Sequence, residues 1–183
     1  MIFQGIIFDL DGVICSTDEY HYQAWKELAD REGIPFDRSV NNRLRGVSRM
    51  ESLEILLERA KRFYSQEEKE KMAAAKNTRY QELLREMTPA DLSPEVFETL
   101  ETLRKQGLKL AIGSSSKNTK FILARLGLGD YFDAISDGTN ITRSKPDPQV
   151  FLMAADFIGM KPEKCLVVED AKAGIQAAVA GGF

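Results

Sequence analysis

The second half of the chain leaves few folds open. Short apolar runs alternate there with helix-length segments, and each of those segments stops at a glycine. Ser93-Pro94-Glu95 reads as an N-cap with proline at the first helical position, and Gly107 closes the helix that follows. Leu108 to Ile112 then reads as a strand, and Lys117 to Leu126 as a helix closed by Gly127. Ala134 to Ser136 is a weak strand, and Asp147 to Ile158 a helix closed by Gly159. Cys165 to Val168 is a strand, and Ala171 to Val179 a helix closed by Gly181. Strands separated by helices cannot pair as hairpins. The alternation implies an α/β fold with a parallel, doubly wound sheet. Residues 2–8, Ile-Phe-Gln-Gly-Ile-Ile-Phe, form one more apolar run, ending at Asp9, and read as a buried strand of the same sheet.

Residues 16–86 break this rhythm. They carry no strong strand signal but three helix starts of the capping-box type: Ser16 before Glu19, Ser48 before Glu51 and Ser65 before Glu68. Apolar residues follow at helical spacing, among them Trp25, Leu28 and Ala29, then Leu53, Leu56 and Leu57, then Met72 and Leu83. Thr88-Pro89-Ala90-Asp91 ends the block. The expected organisation is a core of residues 1–14 and 92–183, interrupted by a helical insertion of residues 15–91. A chain of 183 residues has room for one domain with such an insertion.

Composition narrows the partners. Lys plus Arg total 25 and Asp plus Glu 28, a net charge of -3, whereas a generic nucleic-acid surface favours a basic domain. No run approaches the ~20 apolar residues of a membrane helix. Met1-Ile2-Phe3-Gln4-Gly5 lacks the basic flank and long apolar stretch of a signal peptide. The expectation is a cytoplasmic protein, monomeric, with neither a membrane nor a nucleic acid as partner. Cys15 and Cys165 are too few for a stapled scaffold and read as buried free thiols. His21 is the one histidine, so any metal must be held by oxygen ligands, which points to Mg²⁺ rather than zinc. Arg38, Arg43, Arg45 and Arg49 stand together against one acid, Asp37, and read either as a solvated surface run or as an anion-facing loop.

In an open parallel sheet, ligands sit beyond the carboxyl ends of the strands. The residues at those ends are Asp9-Leu10-Asp11-Gly12, Gly113-Ser114-Ser115-Ser116, Ser144-Lys145-Pro146 and Glu169-Asp170. Four carboxylates, a lysine and a hydroxyl cluster would converge on one crevice. Asp-Gly after an apolar strand is also a hairpin signal, with Val13-Ile14-Cys15 as the returning strand. If the chain stays extended instead, Asp9 and Asp11 point the same way. One could attack phosphorus to form an aspartyl phosphate, and the other could move the proton. Attack of an anion on an anion needs a cation nearby, which Mg²⁺ and Lys145 would supply. Glu169 and Asp170 either complete an oxygen site with Asp9 or stabilise the dipole of the helix they precede. Ser114 either closes a turn or joins the free N–H groups of the helix from Lys117 in holding phosphate. Lys145 is either a surface lysine or part of the crevice, as its place before a Pro-Asp-Pro turn suggests.

Phe8-Asp9-Leu10-Asp11-Gly12-Val13, Ser114, Lys145-Pro146 and Glu169-Asp170-Ala171-Lys172-Ala173-Gly174 resemble, in order, the four signature motifs of the haloacid dehalogenase superfamily. A helical block inserted after the first motif resembles that superfamily's type-one cap on its Rossmann-like core. Thr17-Asp18-Glu19-Tyr20-His21 with Ala24-Trp25, Arg45-Gly46-Val47-Ser48-Arg49 and Ser115-Ser116-Lys117-Asn118 are similar to the β-phosphoglucomutase family within it. The resemblance implies interconversion of β-glucose 1-phosphate and glucose 6-phosphate through bound glucose 1,6-bisphosphate. It implies Asp9 as nucleophile and metal ligand, and Asp11 as general acid and base. Asp11 would also lend its backbone carbonyl to Mg²⁺, while Glu169 and Asp170 supply side-chain ligands. Ser114 and Lys145 would hold the transferring phosphoryl group. Thr17, His21, Trp25, Arg45, Gly46, Val47, Ser48, Arg49, Ser115, Ser116, Lys117 and Asn118 would contact substrate. Arg49, directly after the Ser48 N-cap, suits a non-transferring phosphate. A phosphatase using water as acceptor is the alternative on the same scaffold. Two departures stand out. Arg45 replaces the lysine usual in the family, which changes fork geometry and proton behaviour. The chain also stops at Gly181-Gly182-Phe183, where the family continues with a strand and a helix, so an exposed sheet edge is expected.

Overall fold

The computed structural model describes residues 3–183, so Ile2, the first residue of the expected opening strand, lies outside the described residues. The chain forms two compact units, Met1–Ser16 with Met87–Phe183, and Thr17–Glu86.

The first unit is an α/β layer structure. Strands β1 (Gly5–Phe8), β2 (Lys109–Gly113), β3 (Ala134–Ser136) and β4 (Cys165–Val168) form one sheet in the order β3-β2-β1-β4. Every pairing is parallel, with Ile7 opposite Ala111 on one side and Val167 on the other. The strands are near-continuous apolar runs because both faces are covered. Side chains alternate, so Ile7, Ala111 and Cys165 share one face. There they join a buried cluster with Val150, Phe151, Ala154 and Ala155 of helix α7 (Gln149–Phe157) and Ala177 of α8 (Lys172–Gly181). Ile6, Phe8, Leu110 and Ile112 point the opposite way and are also buried. Helix α5 (Pro94–Lys105) packs on β2, and α6 (Thr119–Arg125) buries Ile122 and Leu123. Both cysteines are buried free thiols.

Several boundaries differ from expectation for local reasons. Helix α6 begins at Thr119 rather than Lys117, because Ser114 Oγ and Ser116 Oγ already accept from the N–H groups of Ser116 and Asn118 and hold that stretch as a turn. Helix α8 runs through Gly181, and its left-handed cap is Gly182, at φ 80°. The Asp-Gly sequence makes no hairpin. Leu10 carbonyl accepts from the N–H groups of Val13, Ile14 and Cys15 in a tight loop, and Asp11 and Cys15 form only an isolated bridge.

The second unit is all-helical: α1 (Asp18–Glu32), α2 (Arg38–Arg43), α3 (Arg49–Leu57) and α4 (Gln66–Leu84). Its core gathers Trp25, Leu28, Val40, Leu53, Leu56 and Met72. Ser48 and Ser65 close complete capping boxes with Glu51 and Glu68, as the spacing predicts. The Ser16 capping box does not form. The N-cap of α1 is Thr17, whose hydroxyl accepts instead from Tyr80 Oη at 2.9 Å. Helix α2 is an addition to the sequence reading. Asp37 caps it by accepting from the N–H groups of Ser39 and Val40.

Candidate active site

The α/β unit places its chemistry at the carboxyl ends of three strands. Asp9 continues β1 in extended form, its N–H donating to Val168 carbonyl at 3.0 Å. Glu169 and Asp170 follow β4, which neighbours β1 in the sheet. Lys145 reaches the same place from the loop between β3 and α7, after which the chain turns through a cis Lys145-Pro146 bond. Its ammonium lies 2.5 Å from Asp9 Oδ1 and 2.5 Å from Glu169 Oε2, and 4.6 Å from the centre of the Phe151 ring. At 1% exposure, Lys145 is no surface lysine.

These groups set one another's protonation. Burial pushes the Asp9 carboxyl up to about 7, against the pull of the Lys145 ammonium, and the charges of Glu169 and Asp11 add to the rise. Burial also acts to strip Lys145 of its proton, but the carboxylates of Asp9 and Glu169 outweigh it and hold the amine above the usual lysine range. The arrangement is a buried carboxylate with its counter-charge fixed against it.

The acidic cluster fits a hard divalent cation. Asp9, Glu169 and Asp170 each offer a carboxylate oxygen, all within 4.8 Å of one another. The surroundings leave room for this set. Gly12, in the left-handed region at φ 86°, has no space for a side chain, because a Cβ there would run into the Asp170 carboxylate. A Cβ on Gly174 would run into the Glu169 carboxyl group in the same way. Ala171 N–H donates to Glu169 Oε1 at 3.0 Å and orients it. Among the described residues this ligand set is made of carboxylate oxygens alone, as Mg²⁺ prefers.

Ser114 is 3% exposed at the end of β2, with its N–H tied to Ser136 carbonyl at 3.0 Å. Asn118 is 6% exposed, Ser115 and Ser116 are partly buried, and Lys117 is exposed. The first-turn N–H groups expected to face phosphate are not open at Ser116 and Asn118, since the serine hydroxyls occupy them.

The remaining sequence-predicted residues lie in the helical unit. Arg49 begins α3 directly after the Ser48 N-cap, with Gly46 and Val47 partly buried in the preceding turn. Arg45 pairs with Asp18 at the start of α1. Arg38 and Arg43 leave the expected anion-facing loop, since helix α2 carries them and they pair with Glu19 and Glu58. Trp25, at 2% exposure, is a core residue of the unit. His21 stacks on Tyr80, with ring centroids 4.0 Å apart, and its Nδ1 lies 2.8 Å from the Lys76 ammonium. Burial, then the charges of Lys76 and Arg49, push His21 well below the ordinary histidine range.

The sequence pattern of the haloacid dehalogenase-like hydrolases matches residues 3–182. The chain belongs to that family. Among its relatives, β-phosphoglucomutase of Bacillus subtilis is 45% identical over 182 residues, covering 98% of this chain and 80% of that protein. A phosphorylated carbohydrates phosphatase of Thermotoga maritima is 33% identical over 183 residues, covering 98% of this chain and 82% of its own. The crystal structure of β-phosphoglucomutase from Clostridium difficile matches with a TM-score of 0.93 at 41% identity, covering 99% of this chain and 82% of that one. Among the described residues, no helix is long and apolar enough to cross a membrane.

Three features of this haloacid dehalogenase-like site escape a reading of motifs alone. Gly12 and Gly174 are legible as motif glycines, but their job of leaving room for Asp170 and Glu169 is not. Phe151 floors the Lys145 ammonium from helix α7, where its spacing reads only as core.

Proposed function

We propose that the protein is a phosphomutase that interconverts β-glucose 1-phosphate and glucose 6-phosphate through an aspartyl phosphate on Asp9 and a glucose 1,6-bisphosphate intermediate. The observation behind the chemistry is the buried Asp9–Lys145–Glu169 constellation with Asp170 beside it. A carboxylate oxygen of Asp9 attacks phosphorus, and the bond from phosphorus to the sugar oxygen breaks. Asp11 gives its proton to that leaving oxygen. In the second half, Asp11 takes the proton of the acceptor hydroxyl, which attacks the phosphoryl group and releases Asp9. Lys145 draws Asp9 towards the anionic form that attacks and, with Ser114, neutralises charge on the phosphoryl oxygens. Asp9, Glu169, Asp170 and the Asp11 carbonyl would hold Mg²⁺, which when bound offsets repulsion between the two anions.

In this reading residues 15–91 act as the cap of a core made of 1–14 and 92–183. Arg45, Gly46, Val47, Ser48 and Arg49 recognise the non-transferring end of the substrate, aided by Ser115, Ser116, Lys117 and Asn118. Thr17 and His21 serve the hinge side of the cap. The 45% identity to the Bacillus enzyme favours the mutase. The Thermotoga phosphatase at 33% identity keeps a second reading in view, in which water replaces the sugar hydroxyl. Phosphorus NMR of the protein with β-glucose 1-phosphate, Mg²⁺ and a trace of bisphosphate separates them. Glucose 6-phosphate as the product supports the mutase. Inorganic phosphate in its place refutes it and leaves the phosphatase.

A further inference from the structure

The segment after β3 makes a compact turn that the proposed chemistry does not use. Asp137 is 0% exposed. Its Oδ1 accepts from Thr139 N–H at 2.8 Å and Thr139 Oγ1 at 2.5 Å. Its own N–H donates to Asn140 Oδ1 at 3.0 Å, and Asn140 Nδ2 donates back to Ile135 carbonyl at 3.3 Å. The Asp137 carboxylate and the Asn140 amide thus hold the turn between them, the first in the manner of an Asx-turn. Burying a carboxylate is unfavourable unless it is held by donors, so a buried one that shapes a loop invites the question of what the loop does.

The answer lies in the neighbouring segment. On one flank of Asp137, Ser136 carbonyl accepts from Ser114 N–H at 3.0 Å. On the other flank, Gly138 N–H donates to Ser116 carbonyl at 3.1 Å. The approach is close enough that a Cβ on Gly138 would meet Ser115 carbonyl and, at 2.9 Å, Lys117 N. Thr119 Oγ1 donates to the same Ser116 carbonyl at 2.9 Å, completing its anchorage. Loop 114–118 is therefore stitched at two points to the residues on either side of Asp137.

We propose that Asp137, through the turn it helps to fold, is a positioning residue for anion recognition by loop 114–118. This rests on the reading of that loop as a phosphate contact. Asp137 does not touch the substrate. It sets where Ser114, Ser116 and Asn118 stand, and displacement of recognition groups by a fraction of an ångström weakens binding before it alters chemistry.

The test compares Asp137→Ala with Asp137→Asn in the full chain. The alanine deletes the acceptor for Thr139, while the asparagine keeps it in its amide oxygen. Amide hydrogen exchange by NMR reads the loop without any turnover. In Asp137→Ala, exchange at Ser114 and Gly138 should rise at least about tenfold, with Ile6 to Phe8 of β1 unchanged. KM for β-glucose 1-phosphate, or whichever sugar phosphate is turned over, should rise about tenfold with kcat held within about threefold. Affinity for inorganic phosphate by calorimetry should fall in parallel, and Asp137→Asn should stay near wild type in all three. If Asp137→Ala does not fold, Thr139→Val, which removes one donor to Asp137, replaces it, and faster loop exchange with raised KM supports the proposal. Wild-type exchange and KM in these variants overturn it. So does a collapse of kcat at unchanged KM, or faster loop exchange with no loss of phosphate affinity. If the wild type turns over no sugar phosphate, the functional reading fails, and exchange with phosphate affinity still decides the role of Asp137.

Discussion

Each of the two units buries a lysine, and the two lysines are put to opposite uses. Lys145, in the α/β unit, sits between Asp9 and Glu169. Lys76, in the helical unit, is 3% exposed against the rings of Trp25 and Tyr80 and the Nδ1 of His21. The first favours the charged form of an acid that burial would neutralise. The second favours the neutral form of a base that burial already disfavours as a cation. The same kind of ammonium therefore draws an acid towards its charged form in one place and an imidazole towards its neutral form in another. The other charges of the helical unit are treated differently again. Pairs such as Arg43–Glu58 and Arg79–Glu27 face water, where an ion pair adds little.

The largest effects should follow from breaking the α/β arrangement. Lys145→Met removes the counter-charge of Asp9 and is expected to lower kcat on the order of 10³-fold, with Mg²⁺ unable to restore it. Lys76→Met should lower kcat far less, and its signature is elsewhere: NMR titration should show the His21 pKa moving back up towards the ordinary range. If Lys76→Met were the more damaging of the two to kcat, the contrast between the lysines would be wrong.

A second tier concerns the room left for the carboxylates. Gly174→Ala and Gly12→Ala should each weaken Mg²⁺ affinity by about 10–100-fold, measured by activation curves and calorimetry. Metal affinity unchanged in both would show that the glycines do not shape this site.

Smaller still is a pH effect from the helical unit. His21 stays neutral in the folded chain below its ordinary pKa of about 6.5, while the unfolded chain takes up the proton. The unfolded state then binds more protons, so stability should fall as pH drops below about 6.5, with a limiting slope of about 1.4 kcal/mol per pH unit from this group. Denaturant titrations between pH 7 and 5 should show His21→Gln losing less stability over that window than wild type. An identical slope would contradict the assignment. Last comes Arg43→Ala, which breaks an exposed pair and should move the melting temperature by under about 2 °C with activity intact.

Much of this architecture is legible in the sequence because its signals are local. The glycine stops at Gly107, Gly127 and Gly159, the Ser48 and Ser65 capping boxes and the apolar strands each need only a few neighbouring residues to be read. Helix α2 escaped because Arg-Ser-Val-Asn-Asn-Arg has neither length nor apolar period, and only the Asp37 cap marks it. The start of α6 lies later than its spacing predicts because the Ser114 and Ser116 hydroxyls take backbone donors that would otherwise open the helix. The burial of Lys145 lies furthest from a local reading. Its partners are 136 and 24 residues away along the chain, and beside it in sequence only the Pro-Asp-Pro turn sets it apart from a surface lysine.

The claim that matters most is that Asp9 becomes covalently phosphorylated. Rapid-quench intact mass spectrometry with β-glucose 1-phosphate and Mg²⁺ reads this directly, with peptide mapping after borohydride trapping to find the site. The expected result is a transient gain of one phosphoryl group on Asp9, absent in Asp9→Asn, whose turnover falls on the order of 10⁴-fold. A phosphoryl group on another residue, or wild-type turnover by Asp9→Asn, would contradict the mechanism.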